Sequence, residues 1–279
     1  MSKLNSNNIL FNVAGIGIVV TAIGYMGYTF FITEKVPHCT ARFPAGQQFA
    51  FESAKGKPLT TIELQARAGL REWGVLQNAK IANGSGVPAG GVMEVSLATT
   101  GDEDKADQNG VSFVWPVNEL AKAGAACLSY QVFIPGSFKF AEPGYLPGLF
   151  GAGDLTQLDE SKPSDGFAAR VGWDQNGEIG VEVRSPASAG FWQSSTRRSR
   201  WPTGQWVSVE QELAMNTPEK ANGTMRMWIN GNLTVENYAI NLRATPQSNL
   251  SGVLSEIGYA RTASEVATLK VSPFIIQWQ

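Results

Sequence analysis

The sequence feature that most constrains the fold is an alternation of apolar and polar residues, with a period of two, that recurs along most of the chain. Such alternation is typical of strands with one buried face, and Gly, Pro and Asn separate the segments. Nine segments follow the pattern: Val92–Ala98, Val111–Trp115, Leu128–Ile134, Phe167–Trp173, Ile179–Arg184, Trp206–Leu213, Thr224–Ile229, Leu233–Ile240 and Leu269–Trp278. Strands at this density predict an all-β sandwich or barrel.

The composition favours one large domain. Hydrophobic residues make up 43% of the 279 residues, and 30 Gly and 14 Pro supply many turns. No boundary divides residues 47–279, so we expect one β domain there, after a linker at residues 33–46. The net charge of −2 gives no electrostatic basis for binding nucleic acid, which is not expected as a partner.

The N-terminal region carries no charged residue between Lys3 and Glu34, and residues 9–32 are nearly all apolar. About 20 such residues suffice to cross a bilayer, so we expect a single transmembrane anchor at residues 9–32. Residues 1–8 would then be cytoplasmic, and the domain would lie in the periplasm or the extracellular space. A cleavable signal peptide is the alternative interpretation.

The cysteines and the histidine limit the possible chemistry. Cys39 and Cys127 are the only cysteines, and they are either a disulfide or two unrelated thiols. His38 is the only histidine, which excludes Ser-His-Asp triads and multi-histidine metal sites. No metal site and no cofactor is predicted.

The strands at 167–173 and 179–184 are predicted to pair as a hairpin. Both apolar faces must point into one core, so the numbers of paired residues must sum to an even value. A loop at residues 174–178 that closes with Trp173 opposite Ile179 satisfies this and sets Arg170 opposite Glu182 and Ala168 opposite Arg184. One interpretation is an exposed ion pair; the other is the floor of a cleft for an anionic ligand. Small residues at 168, 172 and 180 would leave room above the charges. The residues expected to point into the core are Ile179, Val181, Val183, Val207, Val209, Leu213, Met225 and Met227.

Two further segments stand out. Arg197, Arg198 and Arg200 lie close in sequence to Trp192, either as a solvated basic loop or as a contact for a charged sugar chain. The segment Pro143–Gly151 has too many Gly and Pro for a regular strand and is predicted to be a shaped loop.

Several of these motifs, in this order, resemble polysaccharide lyase family 14, the alginate and glucuronan lyases. The matching segments are residues 128–135 with Gln131, residues 138–140, Leu-Pro-Gly-Leu at 146–149, Arg170 with Trp173, Gly-Gln-Trp at 204–206, Asn-Gly at 222–223 and Trp-Ile-Asn-Gly at 228–231. The resemblance implies a two-sheet antiparallel β-jelly roll, a concanavalin-like sandwich, with a substrate cleft on one sheet. It also implies an acidic, uronate-containing polysaccharide as partner. The candidate substrate-binding residues are Gln131, in the matching run 128–135, and Trp192, Arg197, Arg198 and Arg200 of the basic segment described above.

The family's site residues are only partly retained. By position, Tyr145 stands for a Lys, Ala168 for a Ser, and Glu182 and Arg184 for two Tyr, whereas Arg170 matches the family's Arg. The candidate catalytic residues implied for β-elimination are therefore Tyr145, Arg170, Glu182 and Arg184. The arginines would neutralise the uronate, and Tyr145, with a pKa lowered by them, or Glu182 would move protons.

Three functional hypotheses remain open: cleavage of an acidic polysaccharide, non-catalytic binding or a structural role on the same fold, and a glycoside hydrolase using Glu182 with Asp165. An enzyme should bring its four site residues into one open groove, whereas a scaffold should fill that groove with its own side chains. If Arg170 binds the polysaccharide, replacing it with Ala should weaken binding with little change in stability.

Overall fold

The computed structural model describes residue 19 and residues 36–68, 72–82, 90–97, 110–152, 166–185, 188–261 and 266–279. Contacts divide the chain into two units, Met1–Pro37 and His38–Gln279, and the second contains the β domain. The membrane segment predicted at residues 9–32 lies outside the described residues, apart from Val19. Of the helices in the described ranges, none is long and apolar enough to cross a bilayer.

The described chain is built mainly of strands, with a few short helices. The helices are α1 (Cys39–Arg42), α2 (Thr61–Ala68), α3 (Val75–Asn78) and a 3₁₀ helix at Asn118–Lys122. The first eight strands are β1 (Ala45–Phe49), β2 (Glu72–Trp73), β3 (Ala79–Ala82), β4 (Val92–Ser96), β5 (Val111–Pro116), β6 (Ala125–Ile134), β7 (Gly144–Ala152) and β8 (Gly166–Trp173). The others are β9 (Ile179–Ser185), β10 (Ser188–Ser194), β11 (Gln205–Ala214), β12 (Gly223–Ile229), β13 (Asn232–Ile240), β14 (Leu250–Tyr259), β15 (Thr268–Val271) and β16 (Phe274–Trp278).

The strands form two sheets, and every pairing between described strands is antiparallel. The nine-stranded sheet has the order β13-β12-β11-β6-β15-β4-β3, with β16 also paired to β6 and β1 to β16. The seven-stranded sheet has the order β10-β9-β8-β7-β14-β5-β2. The two sheets enclose one core, so the predicted all-β sandwich is confirmed.

Strand alternation sets the core as the sequence predicts. Val181 from the seven-stranded sheet and Val209 and Met227 from the nine-stranded sheet are fully buried in the same cluster. The other residues predicted to point inward are likewise buried: Ile179, Val183, Val207, Leu213 and Met225. The segment 269–278 differs from prediction because it divides at Pro273 into β15 and β16.

The domain begins earlier than the predicted boundary at Gln47. Cys39, in α1, forms a disulfide with Cys127 in β6, a separation of 88 residues. β1 begins at Ala45 and pairs with β16. Most of the segment predicted as a linker at residues 33–46 is therefore part of the sandwich from His38 onward.

Candidate functional site

The outer face of the β8–β9 hairpin carries the charged residues that the sequence singled out. Trp173 lies opposite Ile179, Arg170 opposite Glu182 and Ala168 opposite Arg184, so the predicted register is confirmed. Asp174 closes the hairpin loop because its Oδ1 accepts hydrogen bonds from the backbone N–H groups of Asn176 and Glu178, each at 2.8 Å.

Arg170 is buried between two carboxylates. Its side chain is 3% exposed, and the guanidinium donates to Glu182 and to Glu256, which comes from β14. Arg184 donates to the other oxygen of Glu182 from Nη2 at 3.0 Å and from Nε at 3.2 Å. The four residues form one network of two positive and two negative charges, rather than the exposed pair that sequence patterning favours.

The network fixes the ionisation of Glu182. Burial alone raises the pKa of this carboxyl, but the nearby charges of Arg170 and Arg184 outweigh burial and hold the pKa below its ordinary value. Glu182 is therefore an ionised partner of two arginines at neutral pH and a weak base.

Tyr145 completes the cluster from β7, opposite Gly172. The Cζ atom of Arg170 lies 3.9 Å from the centre of its ring, a cation–π contact. Burial raises the pKa of the Tyr145 phenol, and the opposing charges of the arginines and glutamates do not reverse this. The charges of Arg170 and Arg184 act to lower this pKa, but burial outweighs them, so the expected net lowering is wrong and Tyr145 is a protonated hydrogen-bond donor at neutral pH.

A bulge in β7 sets the position of Tyr145. The register to β8 shifts by one residue between Leu146 and Leu149, around Pro147 and Gly148. Tyr130 donates from its hydroxyl to the carbonyl of Pro147 at 3.0 Å, and Gln211 accepts from the N–H of Leu149 at 2.9 Å. The prediction of a shaped loop at Pro143–Gly151 is therefore wrong. The segment forms a strand, because side chains of the opposite sheet make hydrogen bonds to the backbone at the bulge.

The small residues do not leave open space above the charges. A Cβ on Gly180 would lie 2.3 Å from Cζ2 of Trp192, and a Cβ on Gly172 would lie 2.2 Å from the carbonyl oxygen of Gly144. Trp192, in β10, is the strand partner of Glu182, so its ring covers the floor next to the ion network. Within the described part of the chain its buried Nε1 has no hydrogen-bond partner. The face is thus a partly filled surface rather than an open groove.

The other predicted binding residues are separated from Arg170. Arg197, Arg198 and Arg200 are exposed on the turn after β10, which Ser195 joins to the Ile179 end of β9 through a backbone hydrogen bond of 2.9 Å. Gln131 lies on β6, where Tyr130 points inward, so its side chain is on the outer face of the nine-stranded sheet. Gln131 therefore does not share a site with Arg170.

The described residues offer one cluster of candidate metal ligands. The ligand atoms of Cys39, Cys127 and Glu210 lie within 4.8 Å of one another. Because the two sulfur atoms are joined in a disulfide, they are not available as thiolate ligands.

Sequence reasoning missed Glu256 and the strand that carries it. β14 contains the inward residues Val253 and Ile257, but Ser255 lies between them and interrupts the apolar alternation. The run from Val253 to Tyr259 still contains β-branched and aromatic residues at strand spacing, and this is the signal that would have found it.

Comparison with known proteins places this chain beside polysaccharide lyases. The family model for polysaccharide lyase 14 matches residues 88–270. No curated protein sequence matches the chain.

Solved structures share the sandwich at low sequence identity. A marine polysaccharide lyase 14 alginate lyase from Aplysia kurodai is 18% identical, with 84% of this chain and 98% of that chain covered and a TM-score of 0.66. An alginate lyase from Chlorella virus is 15% identical, with coverages of 78% and 97% and a TM-score of 0.64. An endo-β-1,4-glucuronan lyase from the fungus Trichoderma reesei is 8% identical, with coverages of 76% and 90% and a TM-score of 0.53.

Proposed function

The chain belongs to the polysaccharide lyase 14 family, and from that premise we propose that it binds an acidic polysaccharide on the outer face of the seven-stranded sheet. The polysaccharide would contact Arg184, Trp192 and Tyr145. The observation that carries the proposal is the state of Arg170, which keeps the family's position but is buried and paired with two carboxylates.

The pairing of Arg170 favours binding over β-elimination. β-Elimination needs a positive charge on the uronate carboxylate, a base for the C5 proton and an acid for the leaving oxygen. The charge of Arg170 is already offset by Glu182 and Glu256, and Glu182 is a weak base because two arginines hold its pKa down. Of the three requirements the base is the least well supplied, whereas Arg184 offers a positive charge and Tyr145 a proton donor.

The exposed groups suit an anionic chain. The Arg184 side chain is 36% exposed, and its positive charge can attract a carboxylate to the edge of the network. The exposed arginines at 197, 198 and 200 lie at the opposite end of β9 and attract negative charge at longer range. The distance from Ile179 to Arg184 is about 17 Å at ~3.4 Å per residue, which suits an oligosaccharide rather than a single sugar.

Cleavage by β-elimination is the second candidate. The observation that favours it is the protonated phenol of Tyr145 beside Arg170, at the position where the family carries a Lys. In this candidate Glu182 accepts the C5 proton, the bond to the leaving oxygen breaks, and Tyr145 donates its proton to that oxygen. A glycoside hydrolase is not proposed, because Glu182 is held as a carboxylate by two arginines and Asp165 lies outside the described residues.

The proposal is tested by titrating the protein with oligosaccharides of alginate and glucuronan while following unsaturated-uronate absorbance. Binding without a rise in absorbance supports the binding function. Arg184→Ala should weaken binding at least about tenfold, because a charge-assisted hydrogen bond contributes roughly 1.5–3 kcal/mol. Arg67→Ala, which removes an exposed arginine on α2, should leave binding unchanged.

Two outcomes would change the conclusion. A rise in absorbance that disappears in Tyr145→Phe establishes the cleavage function instead. No binding to any uronate oligosaccharide rejects both candidates.

The cellular location belongs to the proposal as well. We propose that residues 9–32 anchor the chain in a membrane and that the domain lies in the periplasm or outside the cell. The uncharged run between Lys3 and Glu34 supports an anchor, and the Cys39–Cys127 disulfide supports an oxidising compartment. Membrane fractionation with protease protection tests this, and recovery of full-length chain in the soluble cytoplasmic fraction would contradict it.

A further inference from the structure

A cleft opens on the other side of the sandwich. It lies on the outer face of the nine-stranded sheet, over β6 and β11, and has a volume of about 270 Å³. Pockets for drug-sized ligands are roughly 300–1,000 Å³, so this cleft suits a ligand of about one sugar ring. Tyr145, Arg184 and Trp192, which are proposed to contact the acidic polysaccharide, do not line it.

Polar side chains with unused hydrogen-bonding capacity line this cleft. Gln48 and Gln131 are exposed and Ser129 is half-buried. Within the described ranges their side chains make no hydrogen bond to the protein. Each amide offers both a donor and an acceptor, and the hydroxyl offers the same, which matches the paired donor and acceptor character of sugar hydroxyls.

A carboxylate is held in place at one end of the cleft. Oε1 of Glu210 lies 2.8 Å from Nδ1 of His38, and Oε2 accepts a hydrogen bond from Thr40 at 3.0 Å. Thr40 follows Cys39, so the disulfide to Cys127 fixes the segment that orients Glu210. Carboxylate oxygens keep lone pairs for further donors, so a preorganised Glu210 can accept from ligand hydroxyls.

The opposite wall is apolar. Ile275 is 42% exposed and Pro273 lies next to it in the cleft. A sugar ring has an apolar face of C–H groups as well as hydroxyls, and this wall can pack against that face.

The geometry points to a binding site for a neutral sugar unit in this cleft, with Gln131, Gln48 and Glu210 as the polar contacts and Ile275 as the apolar one. The charge of the residues that line the cleft indicates which class of sugar it binds. Among the described residues that form the cleft none is Lys or Arg, and Glu210 is negative, so a uronate would meet repulsion with no compensating cation. The site is separate from the acidic-polysaccharide site and does not depend on it.

The test uses the full-length chain and a panel of gluco-, manno- and galacto-oligosaccharides that carry no acidic group. Calorimetry should show binding that Gln131→Ala weakens at least about fivefold, the effect of losing one hydrogen bond. Thr40→Val should also weaken it, because Glu210 loses an orienting donor. Gln205→Ala, an exposed glutamine on β11 outside the cleft, is the matched control and should bind as the wild type does.

The outcomes separate this site from the proposed function. If the affinity for neutral sugars is lower in Gln131→Ala but unchanged in Arg184→Ala, the result supports a neutral-sugar site in this cleft, whether or not uronates bind. Absence of binding to every neutral sugar overturns it. Binding that is unchanged in both Gln131→Ala and Thr40→Val also overturns it, since the sugar would then sit elsewhere.

Discussion

Arg170 shows how the surroundings of one residue decide its role. In the resemblance to polysaccharide lyases this arginine belongs to the catalytic set, yet here its guanidinium contacts Glu182, Glu256 and the ring of Tyr145. Arg170 and the two carboxylates are shielded from water, so each of these ions depends on its partners to replace the lost hydration. The network therefore stabilises this face of the sheet only while Arg170 stays paired with both carboxylates. Arg170 is therefore chiefly a structural residue, which alters the expectation that its loss leaves stability unchanged.

We predict that Arg170→Ala lowers the free energy of unfolding by about 3–5 kcal/mol, because it leaves two partly buried carboxylates without their cation. Urea denaturation measures this. Arg184→Ala is the matched control, and with its more exposed side chain it should cost less than about 1 kcal/mol. Equal unfolding midpoints for the two variants would show that the Arg170 network contributes no more than a surface pair.

The lowered pKa of Glu182 predicts a pH dependence. The unfolded chain protonates this carboxyl near its ordinary value of about 4.3, whereas the folded state protonates it at lower pH. The stability that Glu182 contributes is therefore complete above that value and is lost as the pH falls through the folded pKa. Wild type should exceed Glu182→Gln in stability at pH 7, and urea titrations should show this difference shrinking below about pH 4; a constant difference would contradict the shift.

Sequence reasoning identified part of this site. Strand parity restricts the hairpin to registers whose paired numbers sum to an even value, and closure by the loop at residues 174–178 sets Arg170 opposite Glu182. It did not identify Glu256, which is 86 residues from Arg170 along the chain, because local patterning carries no information on which strand lies beside β7. The sequence predicts a lowered pKa for Tyr145, whereas the pKa is raised, because the burial of the side chain depends on packing that the sequence does not show.

At the scale of single elements, β7 depends on contacts from the other sheet. Its Pro and Gly predict a loop, and the strand forms because Gln211 and Tyr130, both from the nine-stranded sheet, bond the backbone at the bulge. Gln211 also donates to the carbonyl of Ala169 in β8 at 2.8 Å. Because these partners lie far away in sequence, local propensity gives the wrong result here, whereas regular strands such as β8, β9 and β11 are predicted well.

Gly148 gives a direct test of this bulge. A Cβ at this position would lie 2.0 Å from the carbonyl oxygen of Ala169 and 2.8 Å from Cα of Arg170, and both are backbone atoms that cannot move aside alone. Gly148→Ala should therefore destabilise the fold by about 1–3 kcal/mol and displace Tyr145 relative to Arg170. Thermal unfolding and the ultraviolet titration of tyrosine measure the two effects.

Gly56→Ala is the control, because a Cβ at this position would meet no other atom. Gly56 has a positive φ of 68° with open space around its Cβ position, so Gly56→Ala reports backbone strain without a clash. A Gly148→Ala variant as stable as Gly56→Ala would show that β7 can move away from β8, contrary to the structure.

At the scale of the whole molecule, the two outer faces carry different chemistry on one core. The β8–β9 face of the seven-stranded sheet presents arginines paired with glutamates, whereas the cleft over β6 and β11 of the nine-stranded sheet presents amides and hydroxyls around Glu210. The Cys39–Cys127 disulfide contributes to the second face only, because it holds His38 and Thr40 against Glu210. The sequence predicts the sandwich because alternation is local, but it places the start of the domain too late because the contacts that join residues 38–46 to the sandwich are long-range.

The position of that boundary yields the last prediction, which compares a chain of residues 36–279 with one of residues 47–279. The shorter chain lacks Cys39 and therefore the disulfide, which stabilises a fold by about 2–4 kcal/mol. It also leaves Glu210 without His38 and Thr40, and the nearly buried Glu212 without Arg42. The longer chain should unfold in a single transition at a higher urea concentration, and Cys39→Ser with Cys127→Ser in the longer chain separates the disulfide from the ion pairs. Equal midpoints for the two lengths would show that residues 36–46 lie against the sandwich without stabilising it.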